Sequence, residues 1–203
     1  MSIIFILIVL LFSIVLHEIA HGSMALRLGD PTAKYAGRLT LNPIKHIDPF
    51  GTIILPLLLI VIGSPLIAGW AKPVPINPSN LRDPKWGMLK VALAGPATNF
   101  LVAIIFGLAI RFIALPVVLI DFFSIIVLLN FVLGLFNLIP IPPFDGSHIL
   151  FTFLSDRFNH LKLFLHQYGL FVFLFFWLLG GLNLVFRGAF LLYYLITTQS
   201  FTI

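Results

Sequence analysis

The sequence has no cysteine. Disulfides and thiolate metal sites are therefore excluded, and any bound metal must be held by His, Asp, Glu or Asn. Acid is nearly as scarce: Asp and Glu together number 7, and Glu18 is the only glutamate. Charged residues make up 9% of the chain, against about 25% in a typical soluble domain. That excludes an ordinary water-facing surface.

What fills the chain instead is apolar. Hydrophobic residues reach 60% and the mean hydropathy is +1.12. A helix needs roughly 20 apolar residues to cross a bilayer, and runs of that order recur. The fold class is an all-α polytopic membrane protein with about five to six apolar segments. The net charge of +5 is not a nucleic-acid signal. The basic residues are scattered among the interhelical segments, where such charges set topology and meet anionic headgroups. The expected surroundings are a lipid bilayer, with no nucleic acid, and either a monomer or an oligomer fits.

The first apolar segment runs from about Ile3 to Leu28, about 39 Å as helix. It has no basic leader and no small-residue cleavage site, so it reads as a retained transmembrane helix. A polar stretch, Asp30 to Asp48, follows. Its Gly37-to-Pro43 part has the alternation of an extended strand or hairpin. The second segment, Phe50 to Ala68, carries Pro56 inside it and Gly63-Ser64-Pro65 near its end. Prolines 73, 75, 78 and 84 then impose an extended loop. Further segments run over about 86–114, 117–138, 161–179 and 182–196, with a helix start at about 147–154. Gly180-Gly181 divides the last two.

His17 and His21 are four apart within the first segment. On a helix they lie on one face, a turn apart, where both imidazoles can reach one zinc ion at about 2.0–2.1 Å. Glu18 lies beside the first ligand and can serve as general base. An incidental pair of histidines is the bland alternative. The setting weighs against it, because a charged side chain inside an apolar helix costs about 2.5–3.5 kcal/mol or more. A catalytic zinc generally has three protein ligands. The candidates for the third are Asp121, Asp145, His148 and His46. Asp121 reads as a solvated helix end, and Asp145-Gly146 also suits an ordinary turn. His148 reads as a group behind the ligands or a surface residue. His160 and His166 read as non-ligands at a polar helix end. Asn137, an amide ending an apolar helix, suits either an oxyanion donor or a helix–helix hydrogen bond. Asn99 reads first as a helix-packing amide and second as a site residue.

Taken together, these residues resemble the site-2 protease family of intramembrane metalloproteases. His17-Glu18-Ile19-Ala20-His21 matches its metal-binding motif. Ala94-Gly95-Pro96 matches the opening of a core helix, and Asn137-Leu138-Ile139-Pro140 through Asp145-Gly146 matches its Asn-x-x-Pro…Asp-Gly motif. The resemblance covers about residues 5–155 and, more loosely, the last two helices. It implies Asp145 as third metal ligand, one zinc per chain, Glu18 as general base and Asn137 as a polar group near the substrate. It also implies hydrolysis of peptide bonds in membrane-anchored protein substrates. The expected organisation is one peptidase domain over 1–203, with a catalytic core at about 3–155 built on three helices and a C-terminal helix pair at about 161–197. Two features depart from the family pattern: no appended soluble module, and the extra segment Phe50 to Ala68. A transporter, or a non-catalytic scaffold with a buried metal site, is the alternative. A transporter is expected to show internal repeats, and none is found; an intact Glu18 weighs against the scaffold.

One shared metal constrains the topology. His17, His21 and Asp145 must lie toward one membrane side, so an even number of crossings must separate them. The segments at 86–114 and 117–138 supply two. The expectation is that Phe50 to Ala68 re-enters rather than spans, its irregular backbone buried in protein. Basic residues flank it on both sides: Lys34, Arg38 and Lys45 before, Lys72, Arg82 and Lys85 after. Both flanks then face the cytoplasm of a prokaryotic cell.

Overall fold

The computed structural model describes residues 3–62, 70–199 and 201. Among them the chain forms eight α-helices and no β-strand. Helix α1 spans Ile3–Arg27. Gly29 ends it at φ +112°, and Asp30 N–H returns to Ala25 O at 2.9 Å, a termination that favours glycine. A single short turn, α2, follows at Thr32–Tyr35. A wide helical turn at Pro49–Ile54 leads into α3, Leu55–Val61. Then come α4 (Pro84–Phe112), α5 (Val117–Asn137), α6 (Asp145–Phe153), α7 (Asn159–Leu178) and α8 (Gly181–Thr197). Helices α1, α4, α5 and α7 are long and apolar enough to cross a membrane, and the shorter apolar helices are Pro49–Leu59 and Gly181–Thr197.

Helix α4 is the centre of the bundle, packing against α1, α5, α6 and α8. Its buried face explains why. Gly87, Val91, Gly95, Asn99, Ala103 and Gly107 are buried at every fourth position. Small residues so spaced let helix backbones approach closely in a membrane. Helix α1 answers with Val9, Ser13, His17, His21 and Ala25, buried at the same spacing. The apolar core between α4, α5 and α8 is Ala103, Ile110, Val127, Phe131, Ala189 and Tyr193. Large apolar side chains elsewhere on α1, α4 and α7 are exposed, Ile3, Leu101 and Phe171 among them. That is an outer surface suited to lipid.

The segment beginning at Phe50 does not run away from its origin. Trp70 N–H donates to Gly51 O at 3.2 Å and Thr52 Oγ1 donates to Trp70 O at 2.7 Å. The Phe50 and Trp70 rings stack at 5.9 Å. Gly51 and Trp70 are therefore side by side. The Gly63-Ser64-Pro65 turn lies outside the described residues.

The polar segments differ from expectation in one respect. Residues 37–42 form turns and bends rather than a strand. Gly37 is left-handed at φ +64°, and the Asn42 side chain accepts from Ile44 N–H to start the helical turn Pro43–His46. The expected extended loop does appear at 70–77. Pro73 and Pro75 remove two N–H donors from one edge, so residues 37–42 find no regular ladder partner there. Individual tethers hold it instead. Lys72 N–H bonds His46 O at 2.9 Å, Arg38 Nη2 bonds Lys72 O at 2.5 Å, and Asn77 N–H bonds Asp30 Oδ2 at 2.7 Å.

Candidate metal centre

Helix α1 presents His17 and His21 one turn apart, both buried. Asp145 arrives from the first turn of α6, after α4 and α5 have returned the chain to the same end of the bundle. Its Oδ2 lies 3.2 Å from His17 Nε2 and 3.2 Å from His21 Nε2. The two Nε2 atoms are 2.9 Å apart. Four ligands placed tetrahedrally at zinc distances stand about 3.3 Å from one another. The triangle therefore matches one face of a zinc tetrahedron to within a few tenths of an ångström.

The surrounding hydrogen bonds fix how the two rings are turned. His21 Nδ1 lies 2.7 Å from Val91 O. A carbonyl only accepts, so Nδ1 is the protonated nitrogen. His17 Nδ1 lies 2.7 Å from Asn99 Oδ1. The Asn99 amide cannot be turned round, because its Nδ2 donates to Ser13 O at 3.4 Å and to Asn130 Oδ1 at 3.0 Å. With Nδ1 engaged outward on each ring, Nε2 is the nitrogen that faces the centre. Asp145 Oδ2 is buried and receives no hydrogen bond. Three atoms able to offer lone pairs, the two Nε2 and Oδ2, face one another across 2.9–3.2 Å, an arrangement that suits a cation. Such orientation of metal-bound histidines by a second partner on the other nitrogen is general.

Glycines complete the cradle. A Cβ on Gly95 would collide with His21 Nε2 and lie 2.6 Å from His17 Cε1, so α4 can touch both imidazoles only with glycine there. A Cβ on Gly146 would collide with the carbonyls of Leu138 and Ile139, which lets Asp145 sit tight behind α5. Pro96, next to Gly95, supplies no N–H to the helix. The Val91 carbonyl nearby is the one that turns to His21.

His17, His21 and Asp145 form the group able to hold a metal among the described residues. Glu18 points to the 70–77 segment, where Val74 N–H donates to its Oε2 at 2.7 Å. Asn137 Nδ2 donates to Leu133 O of its own helix at 3.0 Å. Asn99 is both packing amide and partner of a ligand. Asp121 is exposed on α5. His46 is buried with Nε2 on Thr40 O at 3.0 Å. His148 is half-buried on α6. Burial pushes its pKa down; Asp145 pulls it up, and His166 and His21 push it down again. The His166 ring stacks on Phe151 at 5.0 Å, and His160 is exposed.

Asn130 escaped the sequence reading. Its Nδ2 donates to Ser13 Oγ at 2.9 Å and to Ile126 O at 2.9 Å, closing a buried chain from Ser13 through Asn130 and Asn99 to His17. Its signal was there to find: an amide midway along an apolar span needs a polar partner.

A polytopic helical bundle that brings two histidines and an aspartate together as candidate ligands has the make-up of a membrane metalloprotein. The model of peptidase family M50 matches residues 5–118 and 114–180. Over 179 residues the chain is 40% identical to "Putative zinc metalloprotease YwhC" of Bacillus subtilis, covering 84% of this chain and 78% of that protein. It is 34% identical to "Putative zinc metalloprotease Rip2" of Mycolicibacterium smegmatis, over 67% of this chain and 52% of the relative. It is 29% identical to "Zinc metalloprotease MJ0392" of Methanocaldococcus jannaschii, over 77% of this chain and 37% of the relative. No solved structure matches. The chain belongs to peptidase family M50, the site-2 protease family, and is a membrane metalloprotease.

Proposed function

We propose that this chain is an intramembrane zinc endopeptidase that hydrolyses peptide bonds within or next to transmembrane segments of membrane-anchored proteins, in the manner of regulated intramembrane proteolysis. The observation that carries the reading is the convergence of His17 Nε2, His21 Nε2 and Asp145 Oδ2, beside the only glutamate in the chain. Zinc is the metal that two imidazoles and one carboxylate suit, and three of the relatives carry it in their names. When bound, zinc supplies Lewis-acid polarisation of a carbonyl and makes water more acidic.

The chain's own residues then have separate tasks. His17, His21 and Asp145 hold the ion, and Asn99 and Val91 O fix the two rings. Glu18 takes a proton from the attacking water and passes it to the leaving amine. A substrate helix must unwind first, because its carbonyls are hydrogen-bonded internally. The 70–77 segment, extended and lying over Glu18, is a suitable surface for the unwound strand. The family resemblance assigns Asn137 to the substrate side, where its amide must leave Leu133 O to bind a developing oxyanion. The basic flanks of the re-entrant segment support an active site toward the cytoplasm of a prokaryotic membrane.

The test is a purified Glu18→Gln variant. It should keep stoichiometric zinc and lose cleavage of a membrane-anchored reporter. Retained cleavage refutes the assignment of Glu18 as base, and with it the protease mechanism.

A further inference from the structure

Arg38 is buried, 6% exposed. Its Nη2 donates to the carbonyls of Lys72 and Pro73, at 2.5 and 3.3 Å. Its Nε is buried with no hydrogen-bond partner. No carboxylate among the described residues pairs with it; the ion pairs there are the two histidine contacts of Asp145. The acids nearest in sequence are committed elsewhere: Asp30 to Thr32, Asn77 and Asn80, and Asp48 to Phe50 and Gly51 N–H. A guanidinium taken out of water without a counter-ion is unfavourable.

The missing anion has a place to sit. A cavity of about 390 Å³ is lined by Arg38, Lys45, Lys72, Ala36, Pro73 and Pro75. It has three cations and no acid. Next in sequence to its lining residues the chain exposes Tyr35 at 82% and Ile44 at 71%, with Leu41 nearby in sequence; Phe50 and Trp70 are exposed too, their rings 5.9 Å apart. Cations bordered by exposed aromatic and aliphatic groups are a composition of the bilayer interface.

We propose that this cavity binds the phosphate of an anionic phospholipid headgroup. Arg38 offers a planar fork of donors to the phosphate oxygens, while Lys45 and Lys72 add point charges from the rim. The lipid's acyl chains then lie along the exposed apolar side chains. The site does not depend on the protease reading. It touches the catalytic region only through the backbone: Arg38 grips residues 72 and 73, and the next residue, Val74, holds Glu18. A filled cavity therefore steadies the segment over the active centre.

The experiment compares the full chain with a Lys45→Gln/Lys72→Gln double variant, which leaves Arg38 and its carbonyl bonds intact. A Lys85→Gln/Lys90→Gln variant, outside the cavity, is the control. Each is delipidated in neutral detergent and offered phosphatidylglycerol, phosphatidylcholine or inorganic phosphate. Retained lipid is read by native mass spectrometry and stability by thermal melting. The wild type and the control should prefer phosphatidylglycerol over phosphatidylcholine by about tenfold, and the cavity variant should lose that preference. Equal retention of the two lipids by the wild type overturns the proposal. So does an undiminished preference in the cavity variant, or an equal loss in the control, which reduces it to general surface charge. Full stabilisation by inorganic phosphate, with no lipid preference, reassigns the cavity to a free phosphate.

Discussion

Val74 donates its backbone N–H to Glu18 Oε2 at 2.7 Å, joining a loop to the first helix across 56 positions of sequence. One carboxylate oxygen of the proposed base is thereby held by the segment that lies over it. Val74→Pro removes that donor, and Val74→Ala keeps it. The proline variant should lose about 10- to 100-fold in reporter cleavage, a fraction of the roughly 10²–10⁴-fold that a positioned base contributes. Zinc content should stay unchanged, and the alanine variant should remain near wild type. Ile76→Pro leaves the Glu18 bond in place and probes pairing of the loop with substrate. Slower cleavage there supports the pairing, and wild-type rates in Ile76→Pro dismiss it.

Asn99 holds His17 by its Nδ1 at 2.7 Å. Asn99→Ala frees that ring and removes the only polar link from Asn130 to the metal ligands. Loss of such a partner typically costs about 10–100-fold in metal affinity. Zinc competition against a chromophoric chelator measures it. An unaltered affinity would mean that packing alone orients the ring.

Gly95→Ala separates helix propensity from site geometry. Alanine in a helix is normally favoured over glycine by about 0.5–1 kcal/mol. Here the added methyl meets both imidazoles. The variant should stay folded by circular dichroism yet bind less than one-tenth of the wild-type zinc, following the steep dependence of metal sites on ligand placement. Full zinc occupancy would show that α1 can shift away from α4 at no cost.

Asp30 carries the pH prediction. It accepts from Thr32 N–H, Thr32 Oγ1, Asn77 N–H and Asn80 Nδ2. Burial pushes its carboxyl up, but these hydrogen bonds outweigh burial and leave it below its ordinary value. The folded state thus prefers the carboxylate. Its stabilisation is present above the unfolded pKa of about 3.9 and is lost as pH falls through the lower folded value. Asp30→Asn should cost about 1–3 kcal/mol at pH 7, with the gap from wild type closing below about pH 4. Thermal melts from pH 3 to pH 8 read it directly, and a gap independent of pH would contradict the assignment.

How much of this was legible in advance depends on how far apart the interacting residues lie. The membrane class follows from composition, because a chain this poor in charge cannot cover itself with water-facing groups. His17, Glu18 and His21 are readable together, since helical periodicity alone puts positions 17 and 21 on one face. The return of Asp145 to the same end was a condition set by a shared metal, met only if the segment Phe50 to Ala68 does not cross. The strand expected at 37–42 fails for a local reason: Gly37 and the Asn42 cap turn the chain, and Pro73 and Pro75 leave the neighbouring segment without the donors of a ladder.

The sequence by itself determined the solvent, the helices and two of the three metal ligands, because hydrophobicity and a 3.6-residue period are local properties. Asp145 it offered as one of several, selected through the likeness to a family. How the two rings are turned toward the centre depends on the folded chain. That rests on Asn99 and Val91, which come from α4 some 82 and 70 positions away. Such contacts have no period along the chain; they exist because Gly95 lets two helices close to the distance at which imidazoles, amide and carbonyl meet.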